Sequence, residues 1–306
     1  MAIASVVYKP TPENPHNNVI REVPKEYNQH DYLFKKLIHN FFEEFLEAFF
    51  PEVHEHIDFS FIKPMSEEVF NDLAKGSSRR ADIVIETKLK EENTLIIIHV
   101  EPQSTHETKF HERMYHYFSL LYNKYRKPIL PVAIFSYDSK HAEKDYFTLE
   151  FPFFHVFTFN FLMLELRKKN WRAFIESDNP AAAALLSKMG YTEKEKVEVK
   201  MEFLKMLVRM ELNPAENRFI SSFFDSYLIL TNEEEEVLME KVKQLDNADK
   251  ILELPNSWEK RGYRKGREEE KQEVIMNMLK KNFPIEMISE ATNVAKEEIE
   301  KMRDEM

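Results

Sequence analysis

Asp82 and Glu101 are the residues whose types and spacing best suit chemistry. Asp82 opens an Ile- and Val-rich run, ADIVIET, and nineteen positions later Glu101 follows another, LIIIHV, at the head of Glu101-Pro102-Gln103. Carboxylates at the ends of adjacent apolar strands are costly to bury unless a cation or hydrogen bonds compensate them. Mg²⁺ prefers oxygen ligands and is often held by one or two carboxylates, with waters and substrate phosphate completing its shell. Asp82 and Glu101 offer such carboxylates, and the backbone carbonyl of Pro102 offers a third oxygen, since proline lacks only its N–H. A metal so held would lower the pKa of a bound water and stabilise charge building on a phosphodiester. Gln103 suits orienting that water, and Arg79 and Arg80 suit meeting phosphate oxygens. The spacing alone fits a structural carboxylate pair at strand ends equally well.

Two paired strands must position these groups. Residues 80–87 and 94–100 read as those strands, the second almost continuously apolar as a strand buried on both faces should be. The charged stretch 88–93 supplies the reversal, and Pro102 reads as the end of the ladder, opening room for solvent and substrate. Upstream, Asp31 reads as the N-cap of a helix whose buried face runs from Leu33 through Phe49, with Pro51 as its stop. Residues 57–62 alternate as a first strand. Downstream, 106–124 reads as a helix with Phe110, Met114, Tyr117 and Leu121 on one stripe, and with Arg113 and Tyr117 as neighbours four apart. Strands at 132–137 and 155–164 follow, separated by a loop at 138–146. The succession of helix, three strands, helix and further strands predicts a mixed α/β core.

From Asn170 onward the patterns are helical. A short Ala-rich helix starts at Asn179-Pro180, an amphipathic one spans Val197 to Met210, and Asn213-Pro214 breaks it ahead of a helix at 219–228. Thr231 with Glu234 is a capping-box signature for a helix through Leu245. The expected organisation is a flexible arm over 1–30, an α/β core over 31–169, a helical region over 170–257 and a charged tail over 258–306. Charges of alternating sign after Trp258 suit an exposed helix used for self-association into a homo-oligomer. The last stretch reads as two short helices about Thr292-Asn293. They are either a helix-turn-helix DNA reader or a hairpin that merely packs, and the scarcity of base-reading side chains favours packing.

Composition narrows the function classes. The 306 residues include no cysteine, which excludes disulfides and thiolate metal sites and fits a cytoplasmic setting. Four glycines and no Gly-rich phosphate loop argue against a nucleotide triphosphatase. His99, His106, His111 and His116 lack the four-residue pairing of a zinc protease helix, and no serine triad assembles. The most apolar run, 151–166, is too short and too polar to span a bilayer, so no membrane association is expected. Net charge is −11, divided as −5 over residues 1–180 and −6 over 181–306. Tight unspecific DNA binding by overall charge is therefore disfavoured, which leaves a local basic face.

The ensemble DYLFKKL at 31–37, RRADIVIE at 79–86, IHVEPQ at 98–103 and HERMYHYF at 111–118 resembles the Rpn/YhgA-like recombination-promoting nucleases, also described as PD-(D/E)XK nuclease family transposases. RGYRKGREEE at 261–270 resembles that family's Gly-spaced charged helix, with fewer glycines. The resemblance implies a restriction-endonuclease-like α/β fold and Mg²⁺- or Mn²⁺-dependent DNA hydrolysis with little sequence preference, in recombination or mobile-element chemistry. It implies Asp82 and Glu101 as catalytic metal ligands and Gln103 as the third catalytic residue, where many related nucleases carry Lys. It also implies that the helix bearing Asp31 and Lys35 leans toward the site, with Asp31 as an additional ligand and Lys35 toward DNA. Arg113 and Tyr117 match an Arg-x-x-x-Tyr helix near DNA. A non-catalytic DNA-binding or protein-interaction module that keeps the nuclease fold is the alternative.

Overall fold

The structure, a computed structural model, describes residues 25–65, 83–90, 94–138, 143–254, 271–281, 283–292 and 294–304. Asp82, Arg79 and Arg80 lie outside the described residues, as do the Pro-rich arm up to residue 24 and the charged segment 255–270.

Helix α1 spans Lys25–Asn40, so Asp31 is not its N-cap but lies within it. The buried stripe extends a turn further back than the apolar spacing suggests: His30 is buried and its ring lies 4.4 Å from that of Phe34, one turn on. The long helix expected as far as Pro51 is broken at Phe41, giving α2 (Phe42–Phe49). Pro51 does not simply stop a helix but opens the next, α3 (Pro51–His56), at a position where its missing N–H has no partner to lose.

Strands β1 (Ile57–Pro64), β2 (Ile83–Leu89), β3 (Leu95–Gln103), β4 (Ile129–Phe135) and β7 (Leu162–Glu165) form a mixed five-stranded sheet in the order β1-β2-β3-β4-β7. β3 runs antiparallel to β2 and parallel to β4, with Ile83 opposite Val100 and Glu101 opposite Ala133. Helix α4 (Phe110–Tyr125) makes the β3–β4 crossover. The single strand expected over 155–164 is two. β6 (Phe154–Asn160) pairs with β5 (Tyr146–Phe151) in a separate hairpin, and the chain joins the main sheet only from Leu162. Apolar character marked this stretch correctly but could not show which partner each half takes.

Alternation on β3 divides the sheet into two faces. Ile96, Ile98 and Val100 join Ile83, Ile85, Val132, Ile134 and Leu164 in the main core, against Phe34, Leu37, Phe45 and Trp171. That core continues through α5 (Pro180–Leu185), α6 (Lys196–Met210), α7 (Pro214–Tyr227), α8 (Asn232–Lys243) and α9 (Ala248–Leu252), where Phe203 stacks on Phe224 at 3.9 Å. The other face carries Val84, Ile97, Ala133 and Phe135, covered by Phe110, Met114 and Leu121 of α4. The β5–β6 hairpin packs on α4 through Tyr115, whose ring lies 4.7 Å from that of Phe157.

Asn213-Pro214 opens α7 rather than only ending α6. The Asn213 Oδ1 accepts hydrogen bonds from Ala215 and Glu216 N–H groups, and the Glu216 carboxylate in turn accepts one from Asn213 N–H. The Thr231–Glu234 capping box forms as its spacing predicts. Residues 271–280 are helical and pack with α10 (Ile285–Thr292) and α11 (Lys296–Asp304) around Ile275, Leu279, Ile288 and Ile299. Among the described residues no helix is long and apolar enough to cross a membrane.

Candidate functional site

The site is assembled on the face of β3 that α4 covers. Ile97, His99, Glu101 and Gln103 alternate with the main-core residues and therefore point to this side together. Glu101 sits in the middle strand of the sheet, 1% exposed, with His99 and Gln103 also buried. Its two oxygens are treated differently. Oε1 accepts hydrogen bonds from Arg113 Nη2 at 2.9 Å and from Gln103 Nε2 at 3.2 Å. Oε2 accepts none among the described residues and lies 4.0 Å from His99 Nε2.

Arg113 comes from the first turn of α4, which the crossover brings over the end of β3. Its Nη1 bonds Glu107, just ahead of the helix, so one guanidinium joins a buried and a part-exposed carboxylate. Arg113 also lies over the rings of Phe110 and Tyr117, with centroids at 5.1 and 5.9 Å. The Tyr117 ring in turn meets His99 edge-on at 5.7 Å. Tyr117 thus helps pack this face. Glu86 lies further along it, opposite Ile97, and holds Lys127 and, at 3.7 Å, Lys63.

Pro102 does not end the ladder: it pairs with Ile134, and Gln103 with Phe135. Ile97 N–H donates to Pro128 and Ser136 N–H donates to Gln103, so odd-numbered residues of β3 turn their backbone groups to β4. Pro102 therefore turns its missing N–H toward the β2 side, and its ladder with β4 loses no donor. Its carbonyl accepts from Gln103 Nε2 at 3.3 Å.

Lys35 is not brought to Glu101 by its helix, because α1 packs on the opposite face of the sheet. The N-terminal turn of α1 instead reaches the strand ends through His30; Asp31 follows it in the helix, its side chain outside the described residues. The other histidines do not gather. His106 pairs with Glu143 at 3.0 Å, which also accepts from Tyr137 Oη at 2.7 Å, and His111 lies beside Phe147. Among the described residues no group of three or more His, Asp or Glu side chains is placed to hold a metal. Among the described residues Glu101 Oε2 is a hard donor that accepts no hydrogen bond, and the next residue's carbonyl, that of Pro102, accepts one from Gln103.

A second polar chain runs into the same strand end. Ser136 Oγ donates to the Gln103 carbonyl at 3.0 Å, so its lone pairs face His30 Nε2 at 3.3 Å. Burial, aided by the charge of Lys188, holds His30 down to about 3 and hence neutral. With the proton on Nε2, Nδ1 is left to accept from Tyr227 Oη at 2.9 Å. Sequence reasoning missed this chain and missed Glu107, since neither has a local pattern. His99 was within reach, because strand alternation puts it on the face of Glu101.

Comparison of the chain with family models, with curated proteins and with solved structures gave no match.

Proposed function

We propose that the chain is a Mg²⁺- or Mn²⁺-dependent DNA endonuclease on a restriction-endonuclease-like core, cutting phosphodiester bonds with low sequence specificity in cytoplasmic recombination or mobile-DNA chemistry. One observation carries the reading: a buried glutamate on the middle strand of a mixed sheet keeps one oxygen that accepts no hydrogen bond among the described residues. Such an oxygen is a hard donor of the kind these ions take. The succession of helix, three strands, helix and strand supports the same core.

In this reading Glu101, Asp82 and the Pro102 carbonyl hold the ion, with Asp31 as an additional ligand. In sequence Asp82 directly precedes Ile83, whose partner on β3 is Val100, the residue before Glu101. The ion supplies a water of lowered pKa and neutralises charge building on the phosphate. Gln103 orients the attacking water through its amide, Arg79 and Arg80 meet phosphate oxygens, and Tyr117 contributes to DNA contact. Segment 258–306 self-associates, and solution mass after its deletion tests that part.

Plasmid nicking tests the function. The full chain should nick in Mg²⁺, stop in EDTA, and lose activity in Glu101→Gln with its fold intact; a Glu101→Gln protein as active as the wild type removes the assignment. One observation favours a non-catalytic DNA-binding or protein-interaction module instead: Arg113 already neutralises Glu101 without a metal. DNA affinity indifferent to Mg²⁺, with no heat of metal binding, would select the module.

A further inference from the structure

Arg113 occupies the position of a cation at Glu101. Its Nη2 lies 2.9 Å from Oε1, the oxygen that also accepts from Gln103, while Oε2 on the far side accepts no hydrogen bond among the described residues. The Arg113 side chain is 13% exposed against 1% for Glu101, so solvent screens this pair weakly. A buried carboxylate stripped of its counter-ion is strongly unfavourable, which explains why the guanidinium stays. The same guanidinium has a second anchor: Nη1 bonds Glu107, whose side chain is 29% exposed. Its Nε donates no hydrogen bond among the described residues, so the grip rests on the two terminal nitrogens.

A divalent ion and a guanidinium within a few ångströms on one carboxylate repel each other strongly in such a poorly screened place. We propose that Arg113 is the resident counter-ion of Glu101, which a divalent cation displaces on binding, and that Glu107 retains the guanidinium after release. This rests on the reading of Glu101 as a metal ligand. It adds that metal affinity is set by a competition between two carboxylates for one arginine, and the two partners of Arg113 then have opposite signs. Loss of Arg113 removes the competitor and tightens metal binding. Loss of the Glu107 charge commits Arg113 to Glu101 and weakens it. An arginine that merely braced the fold would produce no such opposition.

The experiment is calorimetric titration of Mn²⁺ alone into the full chain and three variants, with thermal melts to verify folding. Arg113→Met should bind Mn²⁺ about tenfold or more tightly than wild type, a ratio equal to about 1.4 kcal/mol. Glu107→Gln should bind it several-fold more weakly, and Glu101→Gln should lose this binding. Equal affinity in wild type, Arg113→Met and Glu107→Gln, with binding lost in Glu101→Gln, overturns the role of Arg113 alone. Binding that persists in Glu101→Gln, or no binding in any protein, overturns the metal reading of Glu101 and the Arg113 proposal with it. Should Arg113→Met fail to fold, Glu107→Gln decides: unchanged or tighter binding overturns the proposal.

Discussion

Tyr227 and His30, 197 residues apart in sequence, share a hydrogen bond of 2.9 Å between the tyrosine hydroxyl and Nδ1. Through Ser136 the same imidazole reaches the carbonyl of Gln103, so the end of α7 is tied to the strand that bears Glu101. The four groups have one consistent proton arrangement, Tyr227 to His30 to Ser136 to Gln103, with His30 as the Nε2–H tautomer. Lys188 Nζ closes over the Tyr227 ring at 4.6 Å and is itself held down to about 8, by burial and then by the charge of Arg167.

This arrangement makes stability depend on acid. His30 takes a proton near pH 6.5 when unfolded but only near 3 when folded, so the unfolded chain binds the extra proton between those values. The contribution is complete above pH 6.5 and is lost progressively as pH falls toward 3. Urea unfolding at pH 7 and at pH 4.5 should show the wild type losing about 2–3 kcal/mol more than His30→Gln. Equal losses in the two proteins would contradict the neutral, buried imidazole.

Gly190 is fixed by close approach. A Cβ there would lie 2.4 Å from the carbonyl oxygen of Arg167, while Gly190 N–H donates to Lys169 at 3.0 Å. Both neighbours are backbone and cannot swing aside. Gly190→Ala should therefore lower stability by about 1–3 kcal/mol, seen as a lower denaturation midpoint at unchanged slope. A midpoint equal to wild type would mean that the 167–170 segment yields easily.

The α8 cap offers a smaller, cleaner change. Thr231 Oγ1 accepts from Glu234 N–H at 3.3 Å, and the Glu234 carboxylate accepts from Thr231 N–H at 2.9 Å. Thr231→Ala should cost about 1 kcal/mol and Thr231→Ser far less, by the same unfolding measurement. Indistinguishable losses in the two variants would contradict a hydroxyl cap.

Glu101 should also matter to the metal-free fold. Glu101→Ala leaves Arg113 with Glu107 as its remaining carboxylate partner among the described residues and opens a buried gap, with a loss on the order of 3 kcal/mol in EDTA. A loss below about 0.5 kcal/mol, the size of an exposed pair, would mean that the buried bridge contributes nothing.

How far these features could be read in the chain depends on their range. The apolar runs of β2 and β3, the stripe on α4 and the Thr231 capping box are written in spacings of two to four residues, and the structure has them close to where spacing puts them. Spacing also singled out Glu101 and Gln103, and their contact at 3.2 Å follows from strand alternation. What spacing could not show is which partner each face meets. In the extra turn of α1 a polar His30 is buried because Tyr227 and Ser136 arrive from 197 and 106 residues away to satisfy it. The break at Phe41 leaves the three-and-four spacing of apolar residues intact, and the split of 154–165 between two sheets leaves an unbroken β-like pattern. The Glu101–Arg113–Glu107 bridge depends on where a crossover helix lands, which a local pattern does not encode.

The most direct measurement is anomalous scattering from a crystal of the full chain soaked in Mn²⁺. The account predicts a peak about 2.1 Å from a Glu101 carboxylate oxygen, with the Arg113 guanidinium drawn off that residue and still bonded to Glu107. A well-ordered Glu101 with Arg113 in place and no Mn²⁺ beside it, at concentrations that support nicking, would contradict the account.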